Sequence, residues 1–203
     1  MKTHIFSRRS FLGSTLAVSG VVLLSGCATD EVASPVPQLS FQHLTAIPLK
    51  VSSVKIEQHY KSPMKEPHAE QRFATPPTTA MRGWANARLK AVGGDAVARF
   101  IIEDASVVET KLKKTKGLKG VFTYEPTERY DAKMAGRLSV RTSEGLSGEV
   151  EAEVTRSVEV GENATLAERE LAWFRMVEAM MADFDMEMEK QINGYLGRWV
   201  QSR

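Results

Sequence analysis

Few side chains in this 203-residue chain are placed to do chemistry. Its single cysteine, Cys27, stands where the mostly apolar run 12–24 gives way to a polar stretch. A lone thiol is commonly a small buried apolar group, but polar neighbours and a place at the end of that run point to modification instead. Without a second thiol no internal disulfide forms, so packing alone must hold the core. His43, His59 and His68 fall in linker-like and turn-rich stretches. His59 and His68 with Glu57 or Glu66 match no metal-ligand spacing, so scattered surface histidines are expected. The chain has neither Gly-x-x-x-x-Gly-Lys-Ser/Thr nor Gly-x-Gly-x-x-Gly, the glycine patterns that cradle phosphates. Gly145-Leu146-Ser147-Gly148 is not Gly-x-Ser-x-Gly and reads as a hairpin turn. Alternating glutamates along 149–159 read as a solvated strand face. No catalytic residue, metal or cofactor is expected, and no enzyme activity.

One charged constellation stands out. Lys111, Lys113, Lys114, Lys116 and Lys119 precede Val121, Phe122 and Tyr124 in a single connection. A basic, glycine-hinged loop with aromatic tips suits contact with a membrane surface or a protein partner. Each lysine near anionic lipid is worth roughly 1 kcal/mol, and aromatic rings settle at headgroup level. The same residues also suit a solvated hairpin connection, and both readings stand. Its length favours function, because long loops are disproportionately functional. Among the methionines, Met180, Met181 and Met188 share a helical stripe with Trp173 and Phe184 and are assigned to the core. Met176 and Met186 fall off that stripe and are assigned to a partner-facing surface.

The start of the chain is an address. Lys2, Arg8 and Arg9 precede the apolar run, which falls short of the roughly 20 residues that span a bilayer. Basic start, short apolar core and small residues together read as an export signal over 1–26. Ser7-Arg8-Arg9-Ser10-Phe11-Leu12 resembles the twin-arginine (Tat) consensus, in which Arg8, Arg9, Phe11 and Leu12 are the recognised positions. An ordinary Sec signal with adjacent arginines is the alternative. Leu24-Ser25-Gly26-Cys27 resembles a bacterial lipobox. That resemblance implies a diacylglyceryl group on the Cys27 thiol, cleavage before Cys27, and acylation of the new amine, typically by palmitate. More than one chain is needed, because a single myristoyl-sized chain binds a membrane only marginally. In lipoproteins an aspartate beside the lipidated cysteine favours the inner membrane. Here the neighbour is Ala28, which favours the periplasmic face of the outer membrane, with the periplasmic face of the inner membrane as the alternative.

The remaining elements must form the body that this anchor holds. The signal carries Lys2, Arg8 and Arg9 and no acid, so the formal charge of +2 belongs to the precursor and the remainder is close to neutral. That balance argues against a nucleic-acid partner. Residues 27–47 read as the lipidated cysteine and a linker stiffened by Pro35 and Pro37. Residues 48–203 read as one domain. A strand over 49–57 slips phase at Ser52-Ser53, which predicts a bulge or bend. Residues 58–76 are turn-rich. A helix is expected over 77–92, capped by Thr75, opened by Pro77, with Met81, Trp84, Ala85, Arg88/Leu89 and Val92 on one face and Gly93-Gly94 as its stop. A strand over 98–112 follows, with Phe100, Ile102 and then Val107 or Val108 directed inward and its phase ambiguous around Ala105, and after it come two clearer alternations. Tyr130, Ala132, Met134, Leu138 and Val140 share one strand face; Val150, Ala152, Val154, Val158 and Val160 share another. Thr165 and Glu168 make a capping box for a long last helix, with Trp173, Val177, Met180, Met181, Phe184, Met188, Ile192, Tyr195 and Trp199 along its stripe. That helix is longer than a typical strand, so either its far end bends or its stripe overhangs the sheet. The expected fold is α+β: an antiparallel sheet of about four strands in β-α-β-β-β-α order, with two helices packed on one face.

A lipobox, a linker, an early strand, a Trp84-bearing helix in MRGWANARLKAV, then sheet and last helix together resemble the ABC-type transport auxiliary lipoproteins, over most of residues 48–200. That resemblance implies a noncatalytic envelope lipoprotein with a protein partner, accessory to an ABC/MCE-type lipid transport system. The chain also resembles small alphaproteobacterial lipoproteins, which imply no activity. Two alternatives remain. One is a small-ligand-binding or enzymatic periplasmic domain with a pocket lined by Trp84 and Trp173. The other is a structural lipoprotein acting on cell-wall machinery.

Overall fold

The structure is a computed structural model that describes residues 37–112 and 126–201. These residues belong to one compact unit, Ala33–Arg203. Strand β1 (Ile47–Gln58) is followed by a short 3-10 turn at Glu70–Arg72, helix α1 (Pro77–Arg88) and strand β2 (Leu89–Lys111). Strands β3 (Pro126–Arg141) and β4 (Ser147–Gly161), helix α2 (Leu166–Tyr195) and a 3-10 turn at Gly197–Trp199 complete the chain. The fold is α+β, with spatial order β1-β2-β3-β4 in one sheet.

The expected antiparallel sheet is corrected at one pair. β2–β3 and β3–β4 are antiparallel, but β1 and β2 run parallel. A parallel neighbour requires a crossover, and the turn-rich segment with α1 supplies it. The predicted phase slip in β1 is present. Leu49 pairs with Ala91 and Val51 with Ala96, so Lys50 on β1 lies opposite a longer excursion of β2. Gly93 and Gly94 make that excursion, with φ of 101° and 127°. A Cβ on Gly94 would lie 2.7 Å from the Lys50 carbonyl oxygen, so only glycine fits. The diglycine is therefore a bulge within a strand and not the end of a helix. α1 stops at Arg88 because the residues after it are captured as a parallel partner for Ile47–Leu49. Val92 is accordingly exposed, not inward. Pro77 opens α1 as expected, but the N-cap is Pro76 without a side-chain cap, not Thr75.

Both helices cover one face of the sheet. Trp84 of α1 meets Phe100 of β2 at 5.3 Å and Phe184 of α2 at 5.1 Å between ring centroids. Gly136 interrupts the inward alternation of β3 because Phe184 and Phe100 already occupy the space of its Cβ, at 2.9 and 3.0 Å. The Thr165–Glu168 capping box is formed. α2 buries Trp173, Val177, Met180, Met181, Phe184, Met188 and Ile192 as expected. Met176 is buried too, which corrects its assignment to a partner: three residues after Trp173 and four before Met180, it lies on the same stripe. Met186 is exposed. Tyr195 is also exposed, contrary to the expected stripe, because the helix ends there. The chain then turns, burying Leu196 and Trp199. Val200 forms an antiparallel bridge to Leu49, and the Gln201 amide donates to the Pro48 carbonyl. The overlong helix is thus resolved by a bend that returns the chain to the β1 edge. At the other end of the described chain, Phe41 packs beneath Gly83 of α1 before β1 begins.

Candidate functional site

Of the residues singled out in the sequence, Cys27, Arg8, Arg9, Phe11 and Leu12 lie outside the described residues, as do Lys113, Lys114, Lys116, Lys119, Phe122 and Tyr124. Lys111 is described and is exposed as the last residue of β2. The Leu112 amide donates to the Thr127 carbonyl, holding β2 and β3 together where that connection leaves the sheet.

Beneath this sheet end lies an aromatic and ionic cluster. Phe73 stacks on Trp173 at 4.6 Å with an interplanar angle of 4°, and Tyr130 meets Trp173 edge-on at 5.2 Å. The Arg72 guanidinium lies 5.8 Å from the Tyr130 ring and 5.6 Å from the Trp173 ring, within cation–π range, while pairing with Glu109. Arg169 of α2 donates to Glu128 and to the Tyr130 hydroxyl, which itself donates to Glu128 at 2.7 Å. Burial, then the nearby Glu109 charge, raises the Tyr130 pKa. Among the described residues the buried Trp173 indole N–H has no hydrogen-bond partner.

A second polar group closes the β2 edge beyond the end of β1. His68 bridges Val108, the Ala69 amide donates to the Val107 carbonyl, and the Glu109 amide donates to the Pro67 carbonyl. The buried Glu70 carboxylate accepts the Val107 amide at 3.2 Å and the Tyr60 hydroxyl at 2.5 Å. Burial pushes the Glu70 pKa up, but hydrogen bonds from Ser62, Tyr60, its own amide and the Val107 amide outweigh it and hold the group below the ordinary carboxylate range. Tyr60 is raised by burial and by the same carboxylate. The chemistry here is that of a side chain standing in for a missing strand, in a segment the sequence showed only as turns.

α1 and α2 are pinned by a third group. Arg88, 2% exposed, donates to Asp185 at 2.6 Å and to Glu189 at 2.5 Å, and the Trp84 indole N–H donates to Asp185 at 2.7 Å. Its signal was legible, since Arg88 sits on the apolar face of the predicted helix. Glu70 left no comparable signal.

The outer face of the sheet is polar. Glu103 of β2 pairs with Arg137 of β3, whose hydrogen bond is the largest cause of the lowered Glu103 pKa. Arg137 also lies 3.7 Å from Glu149 and from Glu151 of β4, and Lys133 lies 3.0 Å from Glu153. An open groove of about 940 Å³ over Lys55, Arg99 and Arg141 continues this face. A smaller cleft of about 370 Å³ runs between Leu39, Phe41, Leu44 and the Met181 side of α2. Neither is lined by Trp84 or Trp173, which are packed into the core. Among the described residues no group of three or more His, Cys, Asp or Glu is arranged to hold a metal, and no helix is long and apolar enough to cross a membrane.

No protein-family model matches the chain, and no curated protein matches it. Among solved structures it is similar to rare lipoprotein B from Shewanella oneidensis, at 17% identity over 68% of this chain and 94% of that one, with a TM-score of 0.35. A Xanthomonas campestris protein of the family DUF330 aligns at 11% identity over 78% and 96%, with a TM-score of 0.32. A Helicobacter pylori homologue of the neuraminyllactose-binding hemagglutinin aligns at 10% identity over 78% and 88%, with a TM-score of 0.34. Scores of this size leave function to be argued from the chain's own residues.

Proposed function

We propose that the chain is a noncatalytic lipoprotein of the bacterial envelope, anchored through Cys27 to the periplasmic face of the outer membrane. In this reading its domain engages a protein partner as an accessory component of an ABC/MCE-type lipid transport system. The observation that carries the proposal is the placement of Cys27: the only thiol, directly after Leu24-Ser25-Gly26, at the end of an apolar run opened by Arg8 and Arg9. The described domain supports it by what its side chains are already doing. Its buried polar groups close a strand edge or pin two helices, which are structural tasks. Its outer sheet face is a continuous charged surface, which suits recognition of a protein.

Metabolic labelling with palmitate, followed by membrane fractionation, tests the anchor. The native chain is expected to carry label and sediment with outer membranes, and Cys27→Ser to carry none. A labelled chain in the inner membrane would refute the assigned leaflet, and an unlabelled native chain would refute the proposal. Crosslinking in intact cells tests the partner. A component of a lipid transport system should be recovered, and a chain crosslinked to nothing would count against an accessory role.

A further inference from the structure

One end of the outer sheet face is concave and basic. The open groove of about 940 Å³ lies toward the end where β3 finishes and β4 begins, with Asp95 and the turn residues Thr142 and Ser143 on its wall. Three consecutive strands each give it one base: Lys55 from β1, Arg99 from β2 and Arg141 from β3. Lys55 stands directly opposite Arg99 in the register, at the roughly 5 Å that separates neighbouring strands. Arg99 is opposite Ser139, and Arg141 follows two residues on along the same face of β3. Arg141 is therefore diagonal to Arg99, at about 7–8 Å.

Like charges set across a strand pair oppose the pairing, so this trio costs the sheet stability. Only Arg99 is relieved. Its Nε lies 3.1 Å from Glu57, and a guanidinium has further donors besides that one. Among the described residues Lys55 and Arg141 have no ion pair, although two acids share the groove. Glu149 is drawn to Arg137, 3.7 Å away, and Asp95 pairs with no base among the described residues. The Ser139 and Ser147 side chains also line the groove and make no hydrogen bond among the described residues. The wall thus offers bases converging from three strands, two of them planar forks, with neutral hydroxyls between. A carboxylate brings one charge and two oxygens to such a wall. A phosphate brings more charge and three terminal oxygens, and guanidinium forks match it in pairs of hydrogen bonds. We infer that this groove binds a phosphate group, seated between Lys55, Arg99 and Arg141 and carried by a soluble phosphate or a lipid headgroup. The inference goes beyond the partner-binding reading and does not depend on it.

Calorimetric titration of the full native chain in neutral detergent, at about physiological salt, tests the inference with two probes: inorganic pyrophosphate and mixed micelles containing phosphatidylglycerol. Saturable binding to a single site is expected for at least one of them. Pyrophosphate that binds and is not displaced by the lipid assigns a soluble phosphate; lipid that binds, alone or in competition with pyrophosphate, assigns a headgroup. Lys55→Gln and Arg141→Gln should each weaken binding about tenfold, and Asp95→Asn should tighten it about threefold. Lys50→Gln removes the same charge from an exposed lysine outside the groove and should leave binding unchanged. Lys55→Gln should also unfold at a urea concentration no lower than the native chain, because it removes one of two facing like charges. These bases are exposed, and the two probes on the unaltered chain give the answer even if a variant folds poorly. Saturable binding of neither probe would overturn the inference. So would an equal loss in Lys50→Gln, which would reduce the effect to net charge, or a lowered urea midpoint in Lys55→Gln with binding intact, which would make Lys55 a part of the fold alone.

Discussion

Single side chains in this domain carry most of its polar structure. Glu70 fills a gap in the sheet ladder, and its pKa is held below the usual value by hydrogen bonds that prevail over burial. A group whose folded pKa is depressed adds stability above its unfolded pKa, about 4.5, and loses it as pH falls through the lower folded value. Denaturation midpoints should therefore decline as acidity increases below about pH 4.5, and Glu70→Gln should abolish that component of the decline. The same variant should cost about 1–3 kcal/mol at neutral pH, since a charge-assisted hydrogen bond to the Val107 amide and one to Tyr60 are weakened. Arg88 behaves differently because its charge is buried between two acids. Arg88→Met should destabilise the domain by about 1–3 kcal/mol, measured by urea unfolding, because Asp185 keeps the Trp84 hydrogen bond and Glu189 is half-exposed. Of these two residues only Arg88 was readable in the sequence. A basic side chain on an apolar helix face demands a buried acid, whereas a glutamate in a proline-rich stretch demands nothing.

At the scale of elements, the strands that alternate cleanly were legible and the helix boundary was not. β3 and β4 each have one wet face, so period two appears directly in Tyr130–Val140 and Val150–Val160. The capping box announced α2 because its two side chains act within four consecutive residues. α1 misled because Leu89-Lys90-Ala91 has helical composition, and only tertiary pairing with β1 turns it into strand. Parallel pairing leaves no local mark, for the partners are separated by a whole crossover. The Gly93-Gly94 pair was visible, but a helix stop and a strand bulge use glycine for the same conformational reason. Gly94→Ala decides between them. At the end of a free helix it would be mild, but beside the Lys50 carbonyl it forces a backbone clash as well as a positive φ. A loss of roughly 1–3 kcal/mol is expected, with hydrogen exchange accelerated first in β1. Thr165→Ala should cost about 1 kcal/mol by removing the α2 cap.

For the whole molecule, the address and the body tell one story by different means. The body fills its helix-covered face with a closed aromatic and methionine core and keeps its charges for the outer face. In the proposed reading the address rests on Arg8, Arg9 and Cys27, residues that export and acylation enzymes would read and packing would not. Replacing Arg8-Arg9 with Lys-Lys separates the two export routes. Loss of the exported form is expected for a twin-arginine substrate, and unchanged export would assign the chain to the Sec route. The measurement that bears most directly on the account is the intact mass of the native protein isolated from membranes. The predicted result is a chain beginning at Cys27 and heavier than its sequence by a diacylglyceryl group and an amide-linked acyl chain. A native chain that retains Met1, or one that begins at Cys27 with an unmodified thiol, would contradict it.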